Sequence, residues 1–184
     1  MAKSILLSGA CGSGKSTLMH LGYRAFEAHW GPTATIDTDT ILMMVDPRWE
    51  LGPEERRLEL AGYQCWLLAH SFLTAGFECV IVGGNGLHTP DEINDLVALL
   101  LQLGEVHHVT LDPSLPEIRR RVGNRSADHG PEWLADHVEW MRARYGPWTC
   151  RIDNTSLSPH ATLAEIARRI GQGEGRLPGQ LPAT

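Results

Sequence analysis

Short apolar runs alternate along the chain with longer stretches in which apolar residues recur every three or four positions. The alternation predicts strands and helices in turn. Ser4–Ser8 (S-I-L-L-S) reads as a strand stopped by Gly9, and Thr17–Trp30 reads as a helix closed by Gly31-Pro32. The β-branched run Thr33–Ile36 is a second strand, and Asp37–Gly52 is polar and irregular. Pro53 suits the first turn of a long helix, with Leu58, Ala61, Cys65, Leu68 and Phe72 on its predicted buried face and Gly76 at its end. Cys79–Val82 is a third strand, ended by Gly83-Gly84-Asn85-Gly86. Thr89-Pro90-Asp91-Glu92 has the form of a capping box; it opens a helix striped by Ile93, Val97, Leu100 and Leu103. Val106–Leu111 is a fourth strand, followed by a helix from about Asp112–Ser114 to Gly123 and another over Pro131–Tyr145. Thr149–Ile152 is a fifth strand, and Ser158-Pro159 starts a last helix with Leu163, Ile166, Ala167 and Ile170 facing inward.

Strands this short and continuously apolar are buried on both faces, so the pattern predicts an α/β fold with a parallel sheet covered by helices. At 184 residues the chain suits one domain, assigned to residues 1–170, with the Gly- and Pro-rich stretch 171–184 as a flexible tail. The net charge of −6, with lysine only at Lys3 and Lys15, repels a phosphate backbone, so no nucleic-acid partner is expected. A small polyanion needs only one cationic pocket and stays open. The cysteines Cys11, Cys65, Cys79 and Cys150 form no C-x-x-C pair and read as reduced thiols of a cytoplasmic protein. No apolar run approaches the ~20 residues of a membrane helix, and no signal-peptide pattern opens the chain.

Gly9-Ala10-Cys11-Gly12-Ser13-Gly14-Lys15-Ser16 fits G-x-x-x-x-G-K-[ST], directly after a predicted strand and at the start of a predicted helix. Glycines let successive backbone N–H groups converge on an anion, and the helix N-terminus adds its dipole. Lys15 can reach the β- and γ-phosphates of ATP, and the Ser16 hydroxyl can hold Mg²⁺. The nucleotide candidates are Gly9, Cys11, Gly12, Ser13, Gly14, Lys15, Ser16 and Thr17.

The second strand runs into Asp37-Thr38-Asp39, and strand C-termini line the ligand crevice of an open parallel sheet. One carboxylate there can orient Mg²⁺ and the other can take a proton from an attacking hydroxyl; the alternative is an Asp pair that caps a turn. The third strand ends in glycines with no acidic residue, which argues against the motor ATPases and GTPases. Arg121 and Arg125 share a helix face if the helix persists that far, and from there they can stabilise a transferring phosphoryl group; Arg120 points elsewhere. Arg56, Tyr63 and His70 lie at seven-residue spacing opposite the apolar face of the long helix; they read as an exposed face, with the lining of an acceptor pocket as the alternative. His107 and His108 read as packing, with no metal-ligand spacing around them, and Trp133 and Trp140 as a packed face.

With these residues in place the chain resembles the shikimate kinase and nucleoside monophosphate kinase superfamily. More narrowly it resembles the antibiotic-modifying kinases typified by chloramphenicol phosphotransferase, and it is similar to P-loop proteins of the tunicamycin-resistance type. The likeness spans residues 1–170. It implies a P-loop NTPase three-layer sandwich with a five-stranded parallel sheet in the order 2-3-1-4-5. It implies Asp37 as the base, Asp39 beside Ser16 for the metal, and substrate contacts from Asp37, Asp39, Gly84 and Asn85. It also implies adenine near Asp153–Ser158, which makes Asn154 a nucleotide candidate. Shikimate kinase's substrate arginines have no confident match; residues 37–90 offer Arg48, Arg56 and Arg57, of which Arg57 is the candidate contact. The segment between Arg121 and Pro131 is much shorter than a long lid. The expectation is a Mg²⁺- and ATP-dependent phosphotransferase acting on a hydroxyl of a sugar, nucleoside or antibiotic. A nucleoside monophosphate kinase and a non-catalytic nucleotide-binding resistance or regulatory protein are the alternatives.

Overall fold

A computed structural model describes residues 2–45, 54–84, 86–87, 90–123 and 131–178. Five parallel strands form one sheet in the order β2-β3-β1-β4-β5, as the resemblance implies. They are β1 (Lys3–Gly9), β2 (Thr33–Asp37), β3 (Cys79–Gly83), β4 (Glu105–Leu111) and β5 (Cys150–Ile152). The helices among the described residues are α1 (Lys15–Trp30), α2 (Thr38–Val45), α3 (Glu54–Thr74), α4 (Pro90–Leu100), α5 (Leu115–Val122), α6 (Pro131–Arg142) and α7 (Pro159–Gly171).

The pleat sorts the core. Successive side chains of a strand point to opposite faces, and in β1 Leu6 packs with α3 and α4 while Ile5 and Leu7 pack with α1 and α7. Val80 and Val82 of β3 follow Leu6, and Cys79 and Ile81 follow Ile5. A third cluster, built on Ile118, Val122, Leu134, Val138 and Met141, joins α5 to α6 over Ala10.

Three expectations change. The stretch after β2 is helical rather than irregular: Asp37 Oδ1 accepts from the amides of Asp39 (2.9 Å) and Thr40 (3.4 Å), capping α2, whose Ile41 and Leu42 then enter the core. On α3 the buried stripe is Ala61, Cys65 and Ala69, with Phe72 beside it; Leu68, placed inward by periodicity, is 42% exposed. Small residues let the helix approach α4 and the sheet closely, which turns the leucines outward. The segment after α7 is also held as far as Leu177. Gly175 O accepts from His108 N and Leu177 N donates to Val106 O, so residues 174–177 run antiparallel along the part of β4 that the three-residue β5 does not reach.

Candidate active site

The loop between β1 and α1 forms one wall of a cleft of ≈840 Å³ at the C-terminal end of the sheet. Gly9 takes φ +143°, and a Cβ there would collide with Ser13 and the Leu111 carbonyl, so only glycine lets the chain leave β1 in this direction. Gly14, at φ +107°, leads into α1 in the left-handed region, so the helix's first amides open toward the cleft. Cys11, Gly12, Gly14, Lys15, Ser16 and Thr17 all line it. Lys15 Nζ donates to Gly9 O at 2.5 Å and Ala10 O at 3.3 Å. Burial lowers its pKa, while Asp39, Cys11 and Asp37 work in the opposite direction.

The loop is braced from behind. Ser13 O accepts from Arg121 Nη1 (2.9 Å) and Asn154 Nδ2 (3.0 Å), and Arg121 Nη2 donates to Asn154 O at 2.7 Å. Glu117 Oε1 accepts from Arg121 Nε at 2.8 Å, while Arg120 holds Glu117 at both oxygens. These hydrogen bonds, Arg120's first and then Arg121's, pull the Glu117 carboxyl down to about 2. Arg121 therefore meets the phosphate loop as a clamp on its carbonyl as well as a cleft-lining cation. Arg120, expected to point elsewhere, lines the cleft too. Ser13 Oγ and Asn154 Oδ1 are buried with no partner, so the nucleotide end retains unused hydrogen-bonding capacity.

Across the loop, Asp39 lines the cleft at the start of α2. Asp37 sits half-buried at the end of β2 with Oδ1 committed to the α2 cap. Gly84 lies against the start of α2: at φ +136°, a Cβ there would collide with Thr38 Oγ1 and press on Asp39 N and Oδ1. The structure thus brings Lys15, Ser16, Asp39 and Arg121 around one cleft; Asp37 does not line it and accepts from the Asp39 amide. Arg57's side chain, Asn85 and Arg125 lie outside the described residues.

Sequence reasoning missed the opposite wall. Trp133 and His137 of α6 line the cleft with their rings stacked at 5.0 Å and 5°. Trp133 and Trp140 are about 40% exposed, not packed away, and His137 stands between them. Burial, then the charge of Lys15, lowers the His137 pKa. The helix is fixed by buried Asp112, at the end of β4, which accepts from Arg142 Nε at 2.8 Å and Arg151 Nε at 2.6 Å. The spacing of Trp133 and Trp140 was visible as one helix face; that His137 shares it, and what the face looks onto, was not read.

A hydroxyl (Ser16) and a carboxylate (Asp39) are hard oxygen donors, a set that suits Mg²⁺ sharing its sphere with phosphate and water. Among the described residues no group of three or more His, Cys, Asp or Glu side chains could hold a metal ion. None of the described helices is long and apolar enough to cross a membrane.

A family model described as an AAA domain matches residues 5–148. No curated protein sequence matches the chain. Among solved structures, the Deinococcus radiodurans tunicamycin resistance protein is similar at a TM-score of 0.64 and 16% identity, over 97% of this chain and 99% of that one. Shikimate kinase from Bacteroides thetaiotaomicron is similar at 0.59 and 19%, over 92% and 96%. A chain of the Pnkp1/Rnl/Hen1 RNA repair complex is similar at 0.56 and 19% over 79% of this chain, which spans only 46% of its length. At these identities the likeness is one of fold, and the fold is P-loop NTPase-like.

Proposed function

The chain belongs to the AAA domain family, and from that premise we propose that it is an ATP-dependent phosphotransferase acting on a hydroxyl group of a small molecule. The observation that carries the reading is that Asp39 lines the same cleft as Lys15 and Ser16, and that Asp37 accepts from the Asp39 amide. A protein that merely held a nucleotide would need the phosphate loop and not an acidic pair beside it.

The loop amides and Lys15 bind the β- and γ-phosphates of the substrate ATP. Asp37 Oδ2 takes the proton of the acceptor hydroxyl, whose oxygen bonds to the γ-phosphorus while the bond to the β–γ bridging oxygen breaks and ADP leaves. Asp37 Oδ1 stays with the α2 amides, which keeps the base in place. Lys15 and Arg121 balance charge on the moving group, with Arg125 as a further candidate. Ser16 and Asp39 would hold Mg²⁺, whose chemistry when bound is to neutralise charge across the β- and γ-phosphates. Gly84, Asn85 and Arg57 belong to the acceptor side and Asn154 to the adenine side.

The acceptor class is a sugar, nucleoside or antibiotic alcohol, and the tunicamycin-resistance neighbour makes the antibiotic panel worth running first. The four free cysteines suit a reducing compartment, in keeping with a cytoplasmic enzyme. The test is transfer from γ-labelled ATP to a panel of sugars, nucleosides and antibiotics. A labelled product formed with one acceptor supports the reading. Tight nucleotide binding with no acceptor-dependent ADP across the panel sinks it.

A further inference from the structure

A line of polar side chains, buried except for half-buried Thr149, runs from β1 across β4 beneath the cleft. Ser8, the last residue of β1 before Gly9, stands opposite Thr110 of β4 and meets it hydroxyl to hydroxyl at 2.8 Å. Thr110 Oγ1 meets Thr149 Oγ1 at 2.8 Å, and Thr149 Oγ1 meets His108 Nδ1 at 2.6 Å. His108 Nε2 then reaches Leu87 O at 3.0 Å. Ser8, Thr110 and His108 are at most 1% exposed, and the Trp148 ring covers the imidazole at 4.6 Å.

Proton counting gives this line a direction. A carbonyl only accepts, so Nε2 carries a proton. Burial holds His108 down to about 4, so near neutrality the ring is uncharged and Nδ1 accepts. Thr149 must then give its only hydroxyl proton to Nδ1. Thr110 must give its own to Thr149, and Ser8 must give its own to Thr110. Each bond fixes the next, and none can reverse while the ring is neutral.

The two ends of the line are the two ends of the site. Ser8 abuts Gly9, whose carbonyl holds Lys15. Leu87 lies three residues after Gly84, and Gly84 approaches α2 so closely that a Cβ there would collide with Thr38 Oγ1 and crowd Asp39. We propose that His108 is a positioning residue: through Thr149, Thr110 and Ser8 it ties the phosphate-loop strand to Leu87, and so holds Gly84 against the start of α2 and Asp39 in place for Mg²⁺. The role assigned to Asp39 rests on the phosphotransferase reading; the direction of the hydrogen-bond line does not.

The test uses the full chain, with AMPPNP and Mg²⁺ as probes, so that it needs neither an acceptor nor turnover. In ¹⁵N-histidine spectra His108 appears as the neutral ring protonated at Nε2; protonation at Nδ1 would overturn the direction. Thr149→Val and His108→Leu raise the Mg²⁺ concentration needed for half-maximal AMPPNP binding by about tenfold, the scale on which outer partners of a metal ligand act. Affinity at saturating Mg²⁺ stays within about twofold, because the phosphate loop has its own brace. Thr149→Ser and His108→Gln, which restore the donors and acceptors in the same order, return the Mg²⁺ requirement to that of the wild type. If His108→Leu fails to fold, Thr149→Val carries the same comparison. An unchanged Mg²⁺ requirement in folded Thr149→Val, or no rescue by Thr149→Ser, overturns the proposal, as does an equal loss of affinity at all Mg²⁺ concentrations. A normal result here with no transfer to any alcohol would leave the positioning role standing and remove the phosphotransferase reading alone.

Discussion

At the phosphate end of the cleft the main chain makes the site. Ser13 O is held by Arg121 and Asn154, and Gly9, Gly12 and Gly14 turn the backbone where the loop lines the cleft at the start of α1. Next to it, side chains on helix surfaces make a separate groove: α2 and α3 present an open space of ≈490 Å³ lined by Ile41, Met44, Leu60, Gln64, Leu67 and Leu68. The loop is polar and braced; the groove is apolar and open, and on the phosphotransferase reading it is a further surface for the acceptor. A triphosphate is the same in every ATP, so one backbone loop serves it wherever the loop occurs. An acceptor differs from enzyme to enzyme, so its recognition is written in side chains that no short motif dictates.

The comparison breaks most readily at Lys15. Lys15→Ala should lower transfer by ~10³-fold, since a preorganised charge aimed at the phosphates is lost. Among the described residues the side chain hydrogen-bonds the Gly9 and Ala10 carbonyls and is not part of the apolar core, so the thermal midpoint should hardly move. A folded variant with near-normal turnover would show that the phosphate end does not depend on this cation.

Asp37→Asn should follow, at ~10²-fold or more in transfer rate with little change in ATP affinity. Asparagine caps a helix as well as aspartate does, so α2 persists and only the charge disappears. Asp39→Asn should instead show mainly as a raised Mg²⁺ requirement. Rate measurements across a Mg²⁺ series separate the two, and the opposite pattern would exchange their roles.

Acid should distinguish the two ends by stability. His108 titrates at about 4 folded and near 6.5 unfolded, so between these values the unfolded chain holds the additional proton. The stability due to the neutral ring is complete above pH ~6.5 and is lost as pH falls toward 4, up to about 3 kcal/mol. Burial lowers His107 in the same sense. Urea midpoints at pH 7.5 and 5 measure the slope, and His108→Gln should flatten it. A slope unchanged in that variant would assign the effect elsewhere.

The smallest effect is expected in the groove. Leu60→Ser and Leu67→Ser alter exposed side chains and should move stability by no more than about 0.5 kcal/mol. Any change they make should appear in KM for the acceptor and not in ATP affinity. A large destabilisation would mean that the groove is part of the core.

The same division governs what could be read from sequence. The succession of strands and helices and the phosphate loop follow from local pattern, because each residue's role there is set by its neighbours in the chain; the strand order came only through the resemblance. Helix α2 escaped because Asp37-Thr38-Asp39-Thr40 has the composition of a turn, and its capping geometry appears only when Ile41 and Leu42 find the core. Leu68 was misplaced because periodicity tells which residues share a face and not whether small ones will be chosen for close packing. His108 looked like packing, and its partners are 21 and 41 residues away. Asn154 was reached only through the resemblance; its contact with Ser13 spans 141 residues.

The strap that runs along β4 after α7 sets an order of events during synthesis. The backbone groups at Val106 and His108 await partners at Gly175 and Leu177, and the matching His107–Glu174 pair is separated by 67 residues. Until that segment leaves the ribosome, a nascent chain carries a bare strand margin at buried Val106, His107 and His108. An uncovered margin is a template for pairing with another chain. Overexpression that outpaces release, or a bulky fusion that keeps residues 174–177 from docking, should therefore yield inclusion bodies from a domain whose phosphate-loop half is already folded.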